Sequence, residues 1–153
     1  MQPRLSLTES SAGAYKAMLA LETYVRGSGL EKPLLELVKM RASQINGCAY
    51  CLDMHSKDAR AAGETEQRLY CLPAWRECPF YSDRERAALQ WTEALTLIAQ
   101  DHVPDSVFES VRPQFTEKEL ADLTLAVVAI NGWNRIATSF RLPTGSYQPP
   151  KHG

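Results

Sequence analysis

The sequence predicts an all-α fold, a compact helical bundle of about six to seven helices, on three observations. Apolar residues recur at spacings of three and four along most of the chain, the period of one helix face. Ser82-Asp83-Arg84-Glu85 and Thr116-Glu117-Lys118-Glu119 are both capping boxes, a hydroxyl followed three residues later by a glutamate. No segment alternates apolar and polar residues between hairpin turns, so nothing reads as a strand. With 153 residues, 44% of them hydrophobic and 23% charged, the chain has the size and balance of one domain that buries its own core.

Ala14, Met18, Leu21 and Val25 mark the apolar stripe of a first helix, which Gly27-Ser28-Gly29 stops. A second helix begins near Pro33, a residue tolerated in a first turn, and carries Leu34, Leu37, Val38 and Ile45 inward. Asn46-Gly47 is a turn signal. The third helix runs from about Cys48 to Ala62, with Gly63 placed to follow its last turn. From Glu64 to Tyr81 the chain is less regular, because Pro73 and Pro79 interrupt any long helix. The first capping box opens a helix through Ala88, Trp91, Leu95 and Ile98. Val103 to Val111 supplies a short one. The second capping box opens a helix through Leu120, Leu123, Val127 and Ile130 that extends to Phe140, before Pro143. The tail, residues 144–153, reads as an unpacked and flexible arm.

Seventeen Lys and Arg stand against eighteen Asp and Glu, a formal charge of −1, which argues against non-specific nucleic-acid binding. Residues 1–11 hold no basic stretch followed by an apolar one, so no signal peptide is expected. The longest apolar run, Leu120 to Ile130, is interrupted by Asp122 and Thr124 and is far short of a bilayer span. The expectation is a cytoplasmic protein without a nucleic-acid or membrane partner.

Cys48, Cys51, Cys71 and Cys78 carry most of the chemical information. In a reducing compartment, metal binding or redox chemistry is a better reading of them than a disulfide framework. Cys48-Ala49-Tyr50-Cys51 is a C-x-x-C pair directly after a glycine turn and at a helix start. Free backbone N–H groups and the positive end of the helix dipole favour a thiolate there. His55 shares the helix face of both cysteines, one turn from Cys51, where an imidazole can take a thiol proton. Glu36 on the preceding helix is its candidate orienting partner. Glu36 and His55 lie about 16 Å and about 12 Å from Gly47 along their helices at 1.5 Å per residue. An antiparallel hairpin therefore brings them near the same level, and a Glu36–His55–Cys51 proton relay is geometrically open.

Other readings stay open beside this one. The C-x-x-C pair can be two small core residues. The four cysteines also spell C-x2-C-x19-C-x6-C, with His55 as a substitute ligand, although six residues in the second pair is wide for a zinc site. Cys71 and Cys78 flank Pro73-Ala74-Trp75 and read as buried thiols, His102 as a solvated loop residue, and His152 as part of the tail. Trp75, Trp91 and Trp133 read as filling cores or subunit contacts. There is no glycine-rich phosphate loop, G-x-S-x-G or H-E-x-x-H.

Glu36-x11-Cys48-x2-Cys51-x3-His55, followed by Ala59-Arg60 and Gly63, resembles the AhpD-like alkylhydroperoxidases of the carboxymuconolactone decarboxylase superfamily. Arg41-Ala42-Ser43-Gln44-Ile45-Asn46-Gly47 and Asn131-Gly132-Trp133-Asn134-Arg135 agree with it. The resemblance covers roughly residues 10 to 142, and implies a single AhpD-like domain over residues 1–153 with its motif core at 36–63. It further implies a homo-oligomer, trimer or hexamer, with the redox pair near subunit contacts. The implied activity is reduction of organic hydroperoxides or disulfide exchange. Cys51 would be the peroxide-attacking cysteine, Cys48 its partner, and Glu36 and His55 the proton relay. No bound cofactor is implied; an external dithiol reductant is, supplied by a lipoyl-bearing protein or a peroxiredoxin. Tyr50 departs from the best-known members, which carry a second histidine there. Decarboxylases of the superfamily lack the cysteine pair. The alternative from another class is a redox-responsive binding protein without fast peroxidase turnover.

Overall fold

The computed structural model describes residues 2–150. Every regular element among them is helical: α1 (Leu7–Ser10), α2 (Ala12–Gly27), α3 (Lys32–Asn46), α4 (Ala49–Ala61), α5 (Glu66–Cys71), α6 (Asp83–Thr96), α7 (Ile98–Asp101), α8 (Asp105–Val111) and α9 (Glu117–Phe140). Short 3-10 turns at Leu72–Ala74 and Arg112–Gln114 follow α5 and α8. Nine helices exceed the expected six to seven because α1 and α7 are single turns, and α5 fits into the stretch read as irregular. Thr65 caps α5 through its hydroxyl, and α5 stops at Cys71, before Pro73 in the 3-10 turn that follows, so no long helix forms there, as expected.

Both capping boxes close as expected. Ser82 Oγ accepts from the Glu85 amide at 3.2 Å while the Glu85 carboxylate accepts from the Ser82 amide at 2.8 Å. Thr116 and Glu119 make the same pair of bonds. Pro33 sits in the first turn of α3, and α9 runs to Phe140. Two expected inward residues do not point inward. Ala14 is exposed because α2 lies at the edge of the bundle. Ile98 is exposed because α6 ends at Thr96, and the chain restarts as α7 with a different facing.

The bundle is organised around α3, which packs against α4, α6 and α9. Its buried positions, Leu34, Leu35, Leu37, Val38, Lys39, Met40, Ala42 and Ser43, run almost around its girth, the pattern of a central helix rather than a surface one. One core joins α2, α3, α6 and α9 through Val25, Val38, Trp91, Leu123 and Val127. A second gathers Leu37, Leu72, Trp75 and Leu89 around α5 and its loop. The third is small: Ala42, Cys48, Cys51, Ile130 and Ala137, beneath the start of α4. α2 meets α9 at Gly132, where a Cβ would stand 2.9 Å from the methyl carbon of the flexible Met18 side chain.

The tail does not form the free arm expected from its composition. Gly145 donates its amide to the Asp53 carboxylate at 3.0 Å, Lys57 donates to the Tyr147 carbonyl at 3.0 Å, and the Tyr147 hydroxyl donates to Asp58 at 2.7 Å. Residues 144–150 therefore run along α4; His152 lies outside the described residues. Cys71 and Cys78 are half-buried rather than buried. Among the described residues no helix is long and apolar enough to cross a membrane.

Gly47 makes the α3–α4 turn with φ 64°, a left-handed conformation, which costs an L-residue about 1–2 kcal/mol. Gly47→Ala is expected to lower unfolding free energy by roughly that amount, read from the midpoint of a urea titration. A midpoint unchanged from wild type would show that the turn relaxes at no cost.

Candidate active site

The Gly47 turn delivers Cys48 as the N-cap residue of α4. Its amide donates to the Ser43 carbonyl at 3.0 Å, and its Sγ accepts the amide of Cys51 at 3.3 Å. The thiol thus takes the place usually held by a serine or aspartate oxygen. Cys51 lies in the first turn of the same helix, and each cysteine is only 1% exposed. Asn134 of α9 ties the hairpin down from below. Asn134 Nδ2 donates to Ser43 Oγ at 3.0 Å, and its Oδ1 accepts from Asn46 at 2.8 Å.

His55 follows one turn after Cys51 and is buried. Its Nδ1 lies 2.8 Å from Glu36 Oε2 on α3, a direct contact. A carboxylate has no hydrogen to donate, so Nδ1 carries the proton and Nε2 keeps a lone pair that can accept one. Burial works against the Glu36 carboxylate, yet the hydrogen bond from His55 and the charges of His55, Lys39 and Arg26 hold it below its ordinary 4.5.

The two cysteines share their ionisation unequally. The hydrogen bond from the Cys51 thiol lowers Cys48 to about 6; the Cys51 amide, Thr138 and Asn134 add to the effect against the cost of burial. The hydrogen bond to Cys48 pushes Cys51 up, and burial and the Cys48 charge push it further. The surroundings therefore favour a thiolate at Cys48 over one at Cys51.

The cysteines also open in different directions. Cys51 and His55 border a cavity of about 210 Å³ whose walls include Tyr15, Tyr50, Met54 and Trp133. Cys48 borders a separate cleft with Thr138 and Arg141. Tyr50, standing where the best-known AhpD-like sequences have histidine, lies between the two and contributes to both. Its pKa is raised by burial and by the nearby Cys51, so it remains a neutral phenol on the wall. Trp133 meets Tyr15 edge-on, with ring centroids 6.2 Å apart.

Two site residues escaped the sequence reading. Lys39 is 1% exposed; its Nζ lies 2.6 Å from Glu22 Oε1 of α2 and 3.9 Å from Glu36 Oε1. Glu22 also accepts from Arg26 at 2.9 Å. The one signal available was a lysine three residues after Glu36 in an otherwise apolar stretch, which usually marks a solvated edge. Glu36, His55 and Asp58 present ligand-type atoms within 4.8 Å of one another. Each is already engaged: Glu36 with His55, Asp58 with Tyr147. The four cysteines do not converge into a metal cage among the described residues, because they fall into two separate pairs.

The sequence profile of the carboxymuconolactone decarboxylase family matches residues 12–94. The chain belongs to this family. Within it, this AhpD-like chain is 47% identical over 137 residues to the uncharacterised protein YdfG of Bacillus subtilis, covering 90% of this chain and 93% of that one. A crystal structure from Agrobacterium tumefaciens, of a protein of unknown function described as a candidate antioxidant defence protein AhpD, superposes with a TM-score of 0.92 at 45% identity. That match covers 95% of this chain and 100% of the other. The debrominase Bmp8 shares the fold, with a TM-score of 0.73 at 18% identity over 85% of this chain and 70% of its own.

Glu22 and Glu36 have lowered pKa values. The stability they contribute is fully present above their ordinary 4.5 and is lost as pH falls through their folded-state values. Lys39→Met removes the cation between them and should cost about 3–5 kcal/mol near neutral pH, measured by urea unfolding. The gap from wild type should narrow in acid, where both carboxylates are protonated. A gap independent of pH would assign the loss to packing instead.

Proposed function

We propose that this chain is a thiol-dependent peroxidase that reduces organic hydroperoxides through the Cys48–Cys51 pair. The observation that carries the reading is the Glu36–His55 hydrogen bond, set beside a buried cysteine pair that opens onto a largely apolar cavity. His55 Nε2 takes the proton of the Cys51 thiol, and the Glu36 carboxylate stabilises the resulting imidazolium. The Cys51 thiolate attacks the terminal oxygen of the hydroperoxide. The O–O bond breaks, the alkoxide takes the proton back from His55 and leaves as alcohol, and Cys51 becomes a sulfenic acid. Cys48 then gives up its proton, which its lowered pKa favours, and attacks the Cys51 sulfur. Hydroxide leaves, is protonated to water, and the disulfide closes. An external dithiol restores the thiols by exchange.

This reading places the protein in a reducing cytoplasm, as a trimer or hexamer without a bound cofactor. Its reductant would be a lipoyl-bearing protein or a peroxiredoxin. A second reading has its own observation. Cys48 Sγ accepts the Cys51 amide at the start of α4, which favours a thiolate there and suits an exchange enzyme that attacks disulfides with Cys48 and uses Cys51 to resolve the product.

Anaerobic single-turnover assays separate the two. Cys51→Ser should abolish peroxide consumption. Cys48→Ser should still consume one equivalent and stop at a sulfenic acid that a dimedone probe traps. No peroxide consumption by wild type, together with opening of a disulfide substrate that Cys48→Ser abolishes, would establish the exchange enzyme. Thiolate absorbance of the wild-type dithiol should rise as pH passes about 6. Glu36→Gln, which weakens the base at His55, should slow peroxide reduction about 10²–10⁴-fold.

A further inference from the structure

Two cysteines stand apart from the proposed relay. Cys71 closes α5, and Cys78 follows it after Leu72-Pro73-Ala74-Trp75-Arg76-Glu77. Cys78 packs against the core around Leu37, Leu69 and Trp75, whereas Cys48 and Cys51 pack with Ala42, Ile130 and Ala137. Cys78 Sγ lies 3.9 Å from the Cys71 carbonyl oxygen. Burial and then the neighbouring Cys71 thiol raise the pKa of Cys78.

The intervening loop already holds the two cysteines close. Trp75, Glu77 and Cys78 donate their amides to Leu72, Ala74 and Trp75 at 3.3, 3.0 and 3.3 Å. Trp75 is buried, and its indole N–H donates to Glu93 at 2.9 Å. Arg86 donates to the Cys78 carbonyl. The ordering that a cross-link would otherwise have to impose is thus present in the dithiol form. Neither thiol is fully buried, so a small reagent can reach them.

We propose that Cys71 and Cys78 form a second redox site, a dithiol that a low-molecular-weight disulfide of the glutathione type oxidises to an intramolecular Cys71–Cys78 disulfide. One cysteine loses its proton, and its thiolate attacks a sulfur of glutathione disulfide. That S–S bond breaks, one glutathione thiolate leaves, and a mixed disulfide forms. The other cysteine loses its proton, attacks the protein sulfur of the mixed disulfide and expels the second glutathione. The two protons end on the two departing thiols. The protein pair has lost two electrons and the oxidant has gained them. The new bond ties α5 to the loop that carries Trp75, whose partner Glu93 also holds Arg41 of α3.

Trypsin makes the test direct. Cleavage after Arg68, Arg76 and Arg84 puts Cys71 on peptide 69–76 and Cys78 on peptide 77–84. The full chain carrying Cys48→Ser and Cys51→Ser is reduced, exposed to glutathione disulfide, blocked with N-ethylmaleimide and digested. The expected product is the two peptides joined, lighter than their sum by two hydrogens, with alkylation lost from both. Two separate alkylated peptides, or two peptides each bearing glutathione, would overturn the proposal. Cys71→Ser in the otherwise unchanged chain should abolish the joined product while Cys48–Cys51 still closes on exposure to the same oxidant. If Cys48–Cys51 closure stopped in that variant, the two pairs would not be independent sites, and the proposal would fall.

Discussion

Removing an ammonium and two carboxylates from water costs several kcal/mol per ion, and the contacts among them must return that energy. Here those ions are Lys39, Glu22 and Glu36, and they come from two helices, with His55 of a third completing the set. A shift of α2 by one residue would turn Glu22 away from Lys39. A shift of α4 would separate His55 from Glu36. The register of α2, α3 and α4 is therefore fixed by electrostatics as well as by apolar packing. The same network fixes the tautomer of His55, so the arrangement that holds the helices also prepares the base.

The cysteine pair divides its properties between two positions. Cys48 has the backbone amide and the stabilised charge; Cys51 has the cavity and the histidine. Neither thiol has everything a nucleophile needs, and the hydrogen bond between them lets one charge serve both. A pair closed into a disulfide loses that charge, and with it the favourable influence of Thr138 and Asn134 on Cys48. Oxidation therefore also alters how the start of α4 is held by α9.

Much of this was legible in the residues. Ser82, Glu85, Thr116 and Glu119 announced the starts of α6 and α9, because a capping box is satisfied locally and tertiary packing need not intervene. Glu36 and His55 were found because a helical hairpin has few ways to align them. Lys39 and Glu22 were not, since their partnership depends on how α2 crosses α3, and no local pattern encodes a crossing. The tail misled for the opposite reason: a composition of prolines, glycines and polar residues describes a chain without its own secondary structure. It says nothing about hydrogen bonds to Asp53, Lys57 and Asp58 on a neighbouring helix.

Those tail contacts bear on the order in which the protein is made. Residues 144–150 leave the ribosome after α9, yet Tyr147 and Pro149 help to wall the surface cleft beside Glu36 and Lys39. At the other end, Arg4 pairs its amide with the Phe140 carbonyl at 2.9 Å, so the first residues also wait for the last helix. During synthesis the charged side of α3 stays open to water, where ion pairs are cheap to rearrange. The tail adds its part of that wall when it lies down along α4, after α9 has formed, which makes its docking a late step in folding.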